Sequence, residues 1–183
     1  MNSYPLVWLI IGVSGSGKTA VGRFLSQKLD CDFLEGDRRH PLPNITKMLS
    51  GEALQDEDRH QWLSVIEEDI RRAIARNQEI VITCSALKAS YRKQLTSWKR
   101  VQLVWLDVPE PELKRRLQER PNHYMKLEML LSQRRTFESI SPEESVITIN
   151  GNLPIDAVVS ELMTTAIQRF PAMKKPWWKR GIE

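Results

Sequence analysis

The 183-residue chain is poor in cysteine and has no long apolar stretch. Its two cysteines, Cys31 and Cys84, stand far apart and form no CxxC pair. A disulfide framework or a zinc ribbon is therefore excluded as the organising principle, and a reducing compartment is expected. The longest apolar run, residues 6–11, stops at Gly12, far short of the roughly 20 residues that a membrane span needs. The first residues, Met-Asn-Ser-Tyr-Pro, lack the basic flank and cleavage pattern of a secretory signal. A cytoplasmic location without stable membrane association is the expectation. Internal repeats and low-complexity tracts are also missing. Charge of one sign is scarce outside the end of the chain. The formal net charge is +4, and Lys174, Lys175, Lys179 and Arg180, less Glu183, supply +3 of it. The body is thus nearly neutral, so a pI of about 9.2 does not mark a nucleic-acid-binding face.

What is present suits one α/β domain over residues 1–170. Hydrophobic residues make up 41% of the chain and charged residues 27%, enough to bury a single core. Apolar runs at 7–11, 32–34, 80–84, 101–106 and 146–149 predict five strands. Most are continuous rather than alternating, as in strands covered on both faces of a parallel sheet. Helical patterns lie between them. From about Asp56, the residues Trp62, Ile66, Ile70, Ala73 and Ile74 recur at spacings of three and four. Glu67–Arg71 and Glu68–Arg72 occupy the other face at i,i+4. A last helix is predicted over 154–170. The alternation of strand and helix predicts a doubly wound, mainly five-stranded parallel sheet with helices on both faces.

The most specific signal is Gly12-Val13-Ser14-Gly15-Ser16-Gly17-Lys18-Thr19. It satisfies G-x-x-x-x-G-K-[ST] in full, with a strand before it and a helix after it. Glycines let the backbone turn tightly and aim its N–H groups at phosphate oxygens, and the following helix adds its positive dipole end. Lys18 is placed for the β- and γ-phosphates of ATP, and the Thr19 hydroxyl for Mg²⁺. In so short a chain this predicts a small-molecule or nucleotide kinase. The Asn-Lys-x-Asp that reads guanine in GTPases is absent.

Further blocks carry a family resemblance. Glu35-Gly36-Asp37, His40-Pro41, Asn44, Lys47-Met48, Gly51 and Asp56-x-Asp58-Arg59-x-x-Trp62-Leu63 resemble the run after the P-loop in gluconate kinases. So do Cys84-Ser85-Ala86-Leu87-Lys88-x-x-Tyr91-Arg92, and Arg120-x-x-His123-Tyr124-Met125 with Leu130, Leu131, Ser132 and Gln133 downstream. The resemblance covers residues 7–165. It implies a fold of the nucleoside-monophosphate-kinase and shikimate-kinase type, transfer of the ATP γ-phosphoryl group to the 6-hydroxyl of D-gluconate, and a homodimer. Another acceptor, shikimate or a nucleoside monophosphate, and a non-catalytic ATP-binding module are the alternatives.

The candidate site residues follow from that chemistry. Asp37, just past the second strand, is the expected base for the alcohol; a loop aspartate capping the next turn is the competing reading. Arg59 is the first choice for the substrate carboxylate and Arg92 the second, against a surface pair of Arg59 with Asp56 or Glu52. His40 and Lys47 lie on the segment expected to cover the substrate. Ser85 and Lys88 follow the third strand, where Ser85 could equally cap a helix. Arg116 and Arg120, at i,i+4 near the end of a helix over 111–120, are expected to face ATP from a lid over about 116–135, with His123 beside the substrate. Their alternative is a solvated helix end. Asp107 ends an apolar strand and reads as a turn or cap.

Three positions depart from the family pattern: Ala53 for proline, Tyr124 for phenylalanine, and Arg134 for an aromatic residue. The tail over 171–183, basic and rich in tryptophan, has two prolines, which make a poor amphipathic helix. It is expected to be flexible or folded back on the domain.

Overall fold

The first strand, β1 (Val7–Ile11), is buried at every position. That is why it sits at the centre of the sheet and why its sequence does not alternate. The computed structural model describes residues 4–119 and 123–180, and over 123–128 the helical backbone alone. After β1 come α1 (Lys18–Leu29), β2 (Asp32–Glu35), a 3₁₀ turn (Gly36–Arg39), α2 (Leu42–Leu49) and α3 (Asp56–Ala75). Then follow β3 (Ile80–Cys84), α4 (Ala89–Leu95), β4 (Val101–Asp107), α5 (Glu110–Gln118), α6 (His123–Thr136), β5 (Val146–Asn150) and α7 (Ile155–Arg169).

The strand order is β2-β3-β1-β4-β5, and every pairing is parallel. Leu9 sits between Ile82 and Leu103 in the central register. The pleat sends Trp8 and Ile10 to one face, against Leu25 of α1 and Leu162 of α7. Leu9 and Ile11 go to the other, against Trp62, Ile66 and Ile70 of α3 and Leu95 of α4. The doubly wound sheet predicted from the sequence is thus observed. A third cluster, with Leu87, Leu113, Leu117 and Leu130 around Val13, lies beneath the glycine loop. Because all strands run the same way, the loops after β1, β2 and β3 open on one edge, where ligands bind in such sheets.

The later elements bear on two expectations. Helix α5 ends at Gln118, with Glu119 as its C-cap, rather than at 120; Arg120 lies outside the described residues. For the tail, the folded-back alternative is the one observed over residues 171–180. They form two 3₁₀ turns, Pro171–Lys174 and Trp177–Lys179, and fold back on the domain at the amino edge of the sheet. Met173 joins the core, Trp177 Nε1 donates to Asp30 O at 2.9 Å, and buried Arg180 pairs with buried Glu79, which also accepts from Trp8 Nε1 at 2.8 Å.

Candidate active site

A cleft of about 890 Å³ opens along the carboxyl edge of the sheet. Its floor is the glycine loop. Gly12, Gly15 and Gly17 all have φ between 85° and 148°, a region that side chains disfavour. A Cβ on Gly12 would come within 2.7 Å of Ser16 Oγ, so the loop is wound too tightly for any other residue there. Gly17 is the N-cap of α1, with no side chain capping the first turn and no acid within it. The first amides of α1 therefore lack intrahelical acceptors and leave an electropositive terminus. Lys18 Nζ reaches back over the loop to Val13 O at 3.0 Å. Ser16 Oγ is buried with no hydrogen-bond partner. This cradle fits a nucleotide phosphate chain: it offers backbone donors, a lysine and an unsatisfied hydroxyl, and no carboxylate from the helix start opposes them. Thr19 is exposed on the cleft wall. A hydroxyl together with phosphate oxygens and water is the kind of ligand set that Mg²⁺ accepts.

Asp37 enters the same cleft from the 3₁₀ turn after β2. Its position is set by Gly36, where a Cβ would lie 2.0 Å from Thr83 O. The bare backbone passes against the end of β3, donates from Gly36 N to Thr83 Oγ1 at 3.4 Å, and accepts from Trp62 Nε1 at 2.7 Å. Opposite stand His40 and Arg59. His40 stacks on Trp62 with ring centroids 4.2 Å apart and planes 15° apart. Burial lowers its imidazole to about 4, with Asp37 opposing that shift and Arg59 adding to it. Arg59 is only 9% exposed, on the first turn of α3, and its guanidinium lies 6.0 Å from the centroid of the Tyr91 ring. The acids that the sequence offered as its surface partners are engaged elsewhere: Asp56 Oδ2 by Lys88 at 2.6 Å, and Glu52 by Lys47 at 4.0 Å. Ser85 also lines the cleft and caps no helix, since α4 begins after Lys88.

Four other candidates, Lys47, Lys88, Arg92 and Arg116, are not on the cleft wall. Lys47 grips Asp58 at 2.8 and 3.0 Å, a contact that raises its own pKa and lowers that of the acid. Lys88 holds Asp56. Arg92 is a correction: it is fully buried, donates to Glu144 at 2.5 and 2.9 Å, and also bonds the Leu87 and Ser139 carbonyls. Its fork ties α4 to the segment before β5 and has no carboxylate-binding capacity left. Arg116 sits behind the glycine loop, bonded to Glu112, Ser16 O and Gly151 O. His123 opens α6, and its side chain lies outside what is described. Asp107, expected in a turn or cap, is instead the last residue of β4, paired with Asn150, and its carbonyl accepts from Gly151 N at 2.8 Å.

Sequence reasoning did not assign a role to Gln133. Its Oε1 accepts from Ser14 N at 2.7 Å, so α6 touches the phosphate loop directly. The Ser132-Gln133 pair belonged to the resembling blocks, but spacing alone gave no sign that it returned to residue 14. Arg23 and Arg135 on the cleft wall were likewise missed.

Comparison with known proteins agrees with this geometry. Residues 7–140 match the model of an AAA domain family. The chain is 39% identical to the gluconokinase of Gluconobacter oxydans, over 89% of this chain and 92% of that one. It is 35% identical to the thermoresistant gluconokinase of Escherichia coli, over 84% and 89%. The crystal structure of a gluconokinase from Sinorhizobium meliloti superposes with a TM-score of 0.83 at 32% identity, covering 93% of this chain and 97% of that one. A shikimate kinase from Aquifex aeolicus, 20% identical with a TM-score of 0.56, shares the fold, covering 90% of this chain and 98% of that one. With a complete phosphate loop, a carboxylate and a buried arginine on one cleft, and relatives matched over nearly their whole length, the chain belongs to the gluconokinase family of P-loop kinases.

Proposed function

We propose that this chain transfers the γ-phosphoryl group of ATP to the 6-hydroxyl of D-gluconate, giving 6-phosphogluconate and ADP. The observation that carries the reading is that Lys18 and Thr19 share one cleft with Asp37 and Arg59. Phosphoryl transfer needs positioning and charge stabilisation more than covalent help. The amides of the glycine loop and Lys18 hold the β- and γ-phosphates. Mg²⁺ at the Thr19 hydroxyl would neutralise charge on the same oxygens. Asp37 orients the 6-hydroxyl and accepts its proton as the new O–P bond forms and the β,γ-bridging oxygen leaves with ADP. Arg59 suits the carboxylate at the far end of the sugar acid, because its planar fork accommodates both oxygens. Closure of a lid over about 116–135, carrying Arg120 and His123, would exclude water as a competing acceptor. A homodimer is part of the same proposal, and sedimentation tests it.

The deciding experiment is acceptor-dependent ADP release with gluconate, other aldonates, shikimate and nucleoside monophosphates. Turnover confined to gluconate is expected. Preferential turnover of shikimate or a nucleotide, or ATP binding without any acceptor-dependent release, would overturn the reading.

A further inference from the structure

We propose that Asn44 is a positioning residue that holds His40 in its Nε2–H tautomer, so that the ring serves the cleft as a neutral hydrogen-bond donor to a hydroxyl of the polyol substrate. Asn44 lies on α2 and is 3% exposed. Its Nδ2 stands 2.7 Å from the backbone carbonyl oxygen of Asp58. A carbonyl can only accept, so chemistry fixes which end of the amide faces it. The same NH₂ lies 3.3 Å from His40 Nδ1. An amide NH₂ has nothing to accept with, so Nδ1 must offer a lone pair, and a neutral ring then carries its proton on Nε2. The Trp62 stack sets the plane of the ring, and the indole N–H is itself engaged by Gly36 O.

The charged groups around the ring are Asp37 on the 3₁₀ turn and Arg59 on α3, with the Asp58–Lys47 pair beyond Asn44. Asp37 alone favours an imidazolium. Burial, Arg59 and the Asn44 donor all oppose it. The consequence is chemical: a cation there would draw Asp37 into an ion pair, whereas a neutral N–H leaves the carboxylate to the substrate hydroxyl. A polyol hydroxyl can accept from His40 while a neighbouring one donates to Asp37.

The substrate half of this inference rests on the gluconate reading; the tautomer half does not. The test uses protein labelled with ¹⁵N-histidine, with the His40 signals assigned by His40→Gln. The wild-type ring is expected to show the Nε2–H tautomer at pH 7, and its N–H signal is expected to move when gluconate and a non-hydrolysable ATP analogue are added together. Asn44→Leu is expected to remove the tautomer preference and raise KM for gluconate about tenfold, as loss of one hydrogen bond does, with KM for ATP unchanged. Asn44→Asp is expected to shift the proton to Nδ1. Should these variants fail to fold, the wild-type spectrum still decides. An Nδ1–H or cationic ring in the wild type at pH 7 overturns the proposal. So does an Nε2–H signal that ignores gluconate in an enzyme that phosphorylates it. An enzyme with no gluconate turnover removes the donor role together with the substrate reading, and the spectrum then judges the Asn44–His40 contact by itself.

Discussion

Removing the guanidinium from Arg180 should destabilise the protein in a pH-dependent way while leaving the folded enzyme active. Glu79 is 1% exposed and Arg180 5% exposed, and the pair sits at the amino edge of the sheet, opposite the cleft. Burial pushes Glu79 up and Arg180 down, each against the pull of its partner. The pair is thus held in a place that charge does not favour, and each ion needs the other. Breaking one side of a buried pair costs about 3–5 kcal/mol. For a chain of this size each kcal/mol moves Tm by roughly 2–4 °C, so Arg180→Ala should lower Tm by roughly 6–20 °C at pH 7 to 8. In the variant, Glu79 loses its counter-charge, and its folded-state pKa rises further above the unfolded value. A carboxyl with a raised pKa favours the folded state below the unfolded pKa and loses that contribution as pH rises. The cost of Arg180→Ala should therefore be small in acid and grow above the ordinary carboxylate range, by at most about 1.4 kcal/mol per pH unit. Urea unfolding of wild type, Arg180→Ala, Glu79→Gln and the double variant across pH measures both the size and the slope. A loss below about 1 kcal/mol at neutral pH, or one that grows toward acid, would refute the reasoning.

Other perturbations separate the residues on the cleft from those beside it. Asp37→Asn should lower kcat by about 10²–10⁴-fold with little change in KM for ATP; single-turnover ADP release checks it, and near-wild-type turnover would remove Asp37 as base. Arg59→Lys should raise KM for gluconate about tenfold or more, because a point charge cannot replace the fork, and steady-state kinetics at saturating ATP reads this. Arg92→Ala should do the reverse: it takes the guanidinium from Glu144 and the donors from the Leu87 and Ser139 carbonyls and lowers Tm, by less than Arg180→Ala because Glu144 is partly exposed and keeps the Ser141 amide, while KM of the surviving folded enzyme stays unchanged. A rise in KM for gluconate without loss of Tm would return Arg92 to the substrate.

The parallel sheet was legible because its strands are apolar on both faces, and the phosphate loop because its chemistry is contiguous in sequence. Asp37 and Arg59 were legible through blocks whose spacing places them near strand and helix ends. What the sequence hid is long-range. Arg59 and Arg92 read alike as cations in ordered blocks; only the arrival of Glu144, 52 residues beyond Arg92, separates a structural arginine from one left on the cleft. Helix α2 is not among the elements predicted from the sequence; it is only eight residues long and opens on two prolines, at the N-cap and in the first turn, where no amide partner is lost. The terminal segment stayed between flexible and folded back because its anchor, Glu79, lies 101 residues earlier. The end of α5, at Gln118, falls two residues before the predicted one.

The Ser14 amide has a single hydrogen, and Gln133 holds it. A phosphate oxygen that claims this proton must first evict the glutamine, so filling the cradle and releasing that point of α6 become one event. By reciprocity, whatever draws the helix away makes the loop a better anion trap, and whatever presses it home makes it a worse one. Nucleotide affinity in this enzyme is therefore also a gauge of where its sixth helix rests.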